Sequence, residues 1–133
     1  MRIFTIVCKV LFGVILFMPV LGILGIFPPP TQDLYNTDGA FNFILVLMEG
    51  KYIPYINALV CIAGIILMCM KRTLLAMLLT LPLTVNVVAF HAFLDGGLLT
   101  GGAVLGNIMA IINVYLIWVN REQLKVLGEA DRG

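Results

Sequence analysis

Four apolar stretches, separated by polar connections, constrain this chain more than any other feature, because each is close to the length of helix that crosses a lipid bilayer. A hydrocarbon core about 30 Å thick takes roughly 20 mostly apolar helical residues. The stretches fall near Ile3 to Ile26, Tyr52 to Met70, Thr73 to Leu94 and Ala103 to Val119. Of the 133 residues, 62% are hydrophobic and 11% are charged, which leaves too little polar surface for a water-soluble domain. In lipid the backbone must satisfy its own hydrogen bonds, and helices do so within one segment. The reading is therefore all-α: an integral membrane four-helix bundle forming one domain over residues 1–127, with residues 128–133 as a tail and the lipid bilayer as its main partner.

Charge orients the bundle. Arg2 and Lys9 precede or begin the first span, Lys71 and Arg72 lie between the second and third, and Arg121, Lys125 and Arg132 follow the fourth. The other side carries Asp33, Asp38, Glu49 and Asp95 against the single base Lys51. The excess of Lys and Arg on one side predicts that both termini are cytoplasmic and that the tail is too. A net charge of +1 gives no reason to expect nucleic acid. Arg2 before an apolar run resembles a secretory signal, but the run is long and has no A-x-A-like cleavage site, so it is expected to be retained.

The first span is expected to end where Pro28, Pro29 and Pro30 remove three successive backbone donors. In the external connection that follows, Asp38 is placed to cap a helix from Gly39 to Glu49, and Gly50 to stop it. This helix is too short to cross and too apolar for water, so it should lie in the outer interface or re-enter the bundle. A strand is the alternative for so short an apolar run, but a lone strand at a membrane surface leaves its backbone groups unpaired. Pro19 and Pro82 sit inside spans, where each deletes a helical hydrogen bond.

Polar residues inside apolar spans call for a partner or a wet cavity. At about 100° per residue, Thr84, His91 and Asp95 share one face of the third span, and Asn86 points about 140° away from His91. Asn86 is then directed at a different neighbour, with Asn57 on the second span and Asn107 and Asn113 on the fourth as candidate partners. His91 lies about 6 Å deeper than Asp95, so its imidazole can bond the carboxylate and hold its other nitrogen for a ligand. Two readings stay open: a ligand site built from His91, Asn86, Thr84, Asp95, Asn57, Asn107 and Asn113, or a structural hydrogen bond tying helices together. Gly102, Gly106 and Ala110 recur every fourth residue and form a candidate helix-packing face, within the chain or between copies in a homo-oligomer.

No metal-ligand spacing accompanies His91, the only histidine. Cys8, Cys61 and Cys69 include no C-x-x-C pair and read as small hydrophobes. The motifs of soluble catalysis, G-x-S-x-G, the Walker loop and G-x-G-x-x-G, are missing, so no catalytic residue is assigned.

The run Pro82-Leu83-Thr84-Val85-Asn86-Val87-Val88-Ala89-Phe90-His91-Ala92-Phe93-Leu94, with its Asn-x-x-x-Phe-His pattern, precedes a last span ending Tyr115-Leu116-Ile117-Trp118-Val119-Asn120-Arg121. Together with Leu11-Phe12-Gly13 and Gly22 in the first span, this order resembles the DoxX and DoxX-like family of small four-helix membrane proteins. The resemblance implies a multi-pass protein of the bacterial inner membrane, serving as an accessory subunit of a quinone-linked redox system. It implies a quinone as the cofactor class, a membrane or redox protein as partner, and Asn86 and His91 as the positions that bear the role. Distant relatives imply the alternative, an assembly, scaffolding or chaperone-like factor. The external side carries no cysteine to handle sulfur, so catalysis by this chain alone is not expected.

Overall fold

The computed structural model describes residues 1–130; Arg132 and the end of the expected 128–133 tail lie outside the described residues. The order is α1 (Arg2–Ile23), one 3-10 turn (Gln32–Leu34), α2 (Asp38–Gly50), α3 (Tyr52–Cys69), α4 (Thr73–Phe93), α5 (Ala103–Val119) and α6 (Glu122–Ala130), with no strand among the described residues. By length and composition α1, α3 and α4 can each cross a membrane, and α5 is an apolar helix of 17 residues. All four match apolar stretches of the sequence to within three residues at either end. α6 was not anticipated: it runs past residue 127, where the tail was expected to begin, and its only apolar signal is broken by Glu122, Gln123 and Lys125.

α1 packs against α3 and α5, α3 against α4, and α4 against α5, so each of these helices has two neighbours and the bundle closes on itself. Phe12, Leu16, Cys61, Met77 and Leu116 are fully buried where they meet. Small residues allow the closest approaches. A Cβ on Gly64 of α3 would come within 2.8 Å of Thr80 Cγ2 on α4 and 3.2 Å of Leu16 Cδ1 on α1, so three helices converge on one missing side chain.

Thr5, near the start of α1, shares a 3.1 Å hydrogen bond with the Tyr115 hydroxyl near the end of α5, and Phe4 meets the same ring edge-on at 5.2 Å. Lys71 and Arg72 line a groove with Gln123 and Val126 of α6. Arg2, Lys71, Arg72 and Arg121 thus sit at one end of the bundle, and the connections 24–37 and 94–102 sit at the other.

The helix ends correct three local expectations. α1 stops at Ile23, ahead of the prolines, because Gly25 (φ 73°) turns left-handed. The Ile26 N–H then reaches the Leu21 carbonyl and the Gly25 N–H that of Gly22, the two bonds of a Schellman cap. α2 is capped by Thr37, whose hydroxyl accepts the Ala40 N–H at 3.0 Å; Asp38 is already helical, and its carboxylate accepts from the Gln32 amide. Gly50 does not stop α2. The turn into α3 falls one residue later, on Lys51 at φ 55°, ψ −41°, a region that L side chains rarely occupy. Lys71 (φ 62°) likewise takes the glycine position of a second Schellman cap, with Arg72 N–H to Leu67 O and Lys71 N–H to Met68 O.

Candidate functional site

The buried polar groups form two clusters on α4. The outer one closes its end. Asp95, 1% exposed, accepts the Asn36 backbone N–H at 2.7 Å on one oxygen and faces His91 Nδ1 at 2.9 Å with the other. The Asn36 side chain donates to the Asp95 carbonyl at 3.2 Å, and the Thr37 hydroxyl donates to the Leu94 carbonyl. One carboxylate therefore joins the α1–α2 connection to the last turn of α4. Tyr35, Phe43 and Phe90 pack around this point, with Phe43 stacked on Phe90 at 5.9 Å and Tyr35 edge-on to Phe90 at 6.3 Å.

Burial alone pushes the Asp95 carboxyl upward, but the Asn36 N–H, His91 and the Asn36 side chain together outweigh it and hold the group below its ordinary value of 3.8. Tyr35 is raised, first by burial and then by the nearby charge of Asp95.

The far edge of the His91 ring lies against α5. A Cβ on Gly102 would sit 3.5 Å from His91 Cε1, and one on Gly106 would sit 3.5 Å from Cδ2, so Nε2, between those carbons, faces the glycine stretch. The expected bond between His91 and Asp95 is present. The second nitrogen, Nε2, has no hydrogen-bond partner among the described residues, and the side chain keeps 14% of its surface exposed beside the two glycines.

The inner cluster is separate. The Asn113 amide of α5, fully buried, donates toward Thr80 Oγ1 at 3.3 Å, Thr84 Oγ1 at 3.2 Å and the Met77 carbonyl at 3.4 Å. Each threonine hydroxyl donates back into its own helix, Thr80 to Ala76 O at 2.8 Å and Thr84 to Thr80 O at 3.0 Å. Asn113 Oδ1 is buried with no partner. Thr84 shares a face with His91 and Asp95 but belongs to this deeper cluster, about 10 Å of helical rise below His91.

The remaining expected residues lie apart. Asn86 is exposed on the outside of α4, so it is not directed at a neighbouring span; the order of packing leaves that side of α4 uncovered. Asn107 donates to the Leu98 carbonyl at 2.7 Å and closes the α4–α5 connection. Asn57 is half-buried on α3. Gly102 and Gly106 face α4 within the chain, where a Cβ on Gly106 would reach Val87 Cγ1 at 2.9 Å; Ala110 instead lines an outward groove with Ile111, Val114, Tyr115 and Trp118.

Sequence reasoning missed Asn36, Thr73 and Thr80. Thr73 and Thr80 were legible, because positions 73, 80, 84, 91 and 95 repeat at intervals of seven and four, and the four helical ones lie within about 40° of one another. All five are buried or nearly so, with His91 the most exposed at 14%. No group of three His, Cys, Asp or Glu suited to a metal ion occurs among the described residues. The three cysteines are free, Cys8 and Cys61 buried and Cys69 exposed.

Comparison with known proteins finds no matching family model, no matching curated protein and no matching solved structure.

Proposed function

We propose that this chain is a four-span protein of the bacterial inner membrane, with both termini cytoplasmic, acting as a non-catalytic accessory subunit of a membrane redox system. The observation that supports a non-catalytic role is the anchoring of His91. Its Nδ1 is held by Asp95, which also accepts from Asn36, and the imidazole packs beside Gly102 and Gly106. A histidine held this way serves first to join the end of α4, through Asp95, to the α1–α2 connection; only Nε2 is left for a ligand. A quinone, if carried, is expected to rest mainly on lipid-depth residues such as Asn86, which is exposed on the outside of α4.

The test is co-purification. Isolated in mild detergent, the protein is examined by visible absorption and by mass spectrometry of bound small molecules and proteins, alongside His91→Ala and Asn86→Ala. We expect a membrane redox protein to be recovered with the chain, and quinone recovery to fall with Asn86→Ala more than with His91→Ala. Quinone lost only with His91→Ala sinks the anchored-histidine reading, and recovery of neither partner nor quinone sinks the redox assignment. Reporter fusions at the two termini test the topology separately.

The second reading, an assembly or scaffolding factor, is favoured by one observation. The α5 surface formed by Ile111, Val114 and Trp118 is 69%, 62% and 55% exposed and borders a groove of about 480 Å³. On that reading the partner docks there, on the outward side of Ala110, and Ile111→Asn/Val114→Asn releases it while Asn86→Ala does not.

A further inference from the structure

At the basic end of the bundle a groove of about 310 Å³ opens between the α3–α4 turn and α6, lined by Lys71, Arg72, Leu74, Leu75, Gln123 and Val126. Its composition divides in two. Lys71 and Arg72 supply two positive charges, both exposed, and Leu75 and Val126 supply apolar walls that are 38% and 66% exposed. Neither cation lies within salt-bridge distance of a carboxylate among the described residues; Glu122, on the neighbouring helix, is engaged by Lys125 at 2.9 Å and Arg121 at 3.9 Å.

Two further features belong to the same turn. α4 begins at Thr73 with no side chain capping it, so the first N–H groups of the helix lack protein partners and carry the positive end of its dipole. The Thr73 hydroxyl, 2% exposed, is also without a partner. In the second Schellman cap Lys71 takes the left-handed position and Arg72 follows it, so the backbone itself fixes both cations beside the mouth of the groove.

We infer that this groove binds an anionic phospholipid, with the headgroup phosphate between Lys71, Arg72 and the start of α4, and the upper acyl chain against Leu75 and Val126. Two cations with no carboxylate partner among the described residues, at the rim of an apolar wall, complement a molecule whose charge and hydrocarbon are joined in that order. A small free anion leaves the apolar half of the groove wet, and a zwitterionic lipid brings its own cation against Lys71 and Arg72. The inference rests on the chain lying in a membrane, and it places a lipid-selective site at the end of the bundle opposite the Asp95 cluster.

Native mass spectrometry of the full chain, released from detergent with added dioleoylphosphatidylglycerol or dioleoylphosphatidylcholine, tests it. The groove variant is Lys71→Asn/Arg72→Gln, with asparagine chosen because it tolerates left-handed backbone; the control, Arg2→Gln/Lys9→Gln, removes the same charge from α1. We expect phosphatidylglycerol to be retained in preference to phosphatidylcholine, and the groove variant to bind it about tenfold more weakly or worse, with the control unchanged. Should the groove variant not fold, Val126→Gln, on the exposed side of α6, is expected to weaken retention as well. Equal retention by groove variant and control, equal retention of the two lipids, or displacement of the lipid by millimolar inorganic phosphate each overturns the site. Resistance of the chain to carbonate extraction reports on membrane insertion independently, so failure of that premise is seen apart from failure of the lipid site.

Discussion

Asp95 and Asn36 are 59 positions apart, and the backbone N–H of Asn36 donates to the Asp95 carboxylate at 2.7 Å. The same carboxylate faces His91, so the position of the α1–α2 connection and the orientation of the imidazole depend on one buried acid. Hydrogen bonds to a charged group typically contribute about 1.5–3 kcal/mol. We expect Asp95→Ala to lower stability by about 2–3 kcal/mol and to speed amide exchange at Asn36 and through the first turn of α2. Thermal unfolding in detergent and hydrogen exchange measure the two effects, and unchanged exchange at Asn36 would argue against the clasp.

The pH dependence follows from the direction of the Asp95 shift. Its folded value lies below the ordinary 3.8, so its contribution to stability is fully present above the unfolded value and is lost as pH falls through the lower folded value. The stability difference between the wild type and Asp95→Asn should be constant at neutral pH and shrink toward zero in the range below about pH 4. A difference that instead changed only between pH 6 and 8 would assign the effect to another group.

Two glycines are expected to resist substitution and one to accept it. Gly64→Ala drives a methyl to 2.8 Å from Thr80 Cγ2, and Gly106→Ala drives one to 2.9 Å from Val87 Cγ1. Both neighbours are β-branched and stiff about χ1, so each change should destabilise the bundle by about 1–3 kcal/mol. Gly22, with nothing within 4 Å of its Cβ position, should tolerate alanine or gain a few tenths of a kcal/mol, roughly the scale of helix propensity. Melting temperatures of the three variants in one detergent check the ordering.

Thr84 and Asn113 offer a direct measure of a buried interhelical hydrogen bond. A double-mutant cycle with Thr84→Val and Asn113→Ala should return a coupling of about 0.6 kcal/mol, and not much above 2. Zero coupling would mean that Asn113 is held by Thr80 and the Met77 carbonyl alone.

Lys51 occupies φ 55°, ψ −41° between α2 and α3, where a side chain costs about 1 kcal/mol or more relative to glycine. Lys51→Gly should therefore raise stability by up to about 1 kcal/mol, less the extra freedom it gives the unfolded chain. Denaturation in mixed micelles tests the sign.

The helices were legible because apolar runs of this length admit few other structures, and α5 was read to the residue. What failed at their ends was local: Asp38 and Thr37 are both good cap residues, and only the fold decides which hydroxyl or carboxylate reaches Ala40. The α4 face was legible in part. Helical spacing groups Thr84 with His91 and Asp95, yet it does not say that Asn113 takes Thr84 into a deeper cluster. Asn86 shows the same limit, since a wheel gives its angle but not whether a helix stands in that direction. Asn36 left no local signal, because its role depends on a contact made only when the α1–α2 connection folds back on the end of α4. α6 went unread because its charged residues break any apolar pattern, and at the chain's polar end helix and coil look alike.

The repeat of polar positions at 73, 80, 84, 91 and 95 has a consequence for how α4 is seated. In lipid, a side chain gains little by turning from the acyl chains to a protein interior, so an apolar helix has almost no preferred rotation about its own axis. The threonines bonded to Asn113 and the acid bonded to Asn36 act as keys at two heights on one stripe. If the bundle lies in a membrane as proposed, turning α4 by a quarter would set Thr80 and Thr84 against lipid that cannot hydrogen-bond them and would part Asp95 from Asn36 at the helix end. The polar residues of this helix set its angular register, a property that its greasy circumference cannot encode.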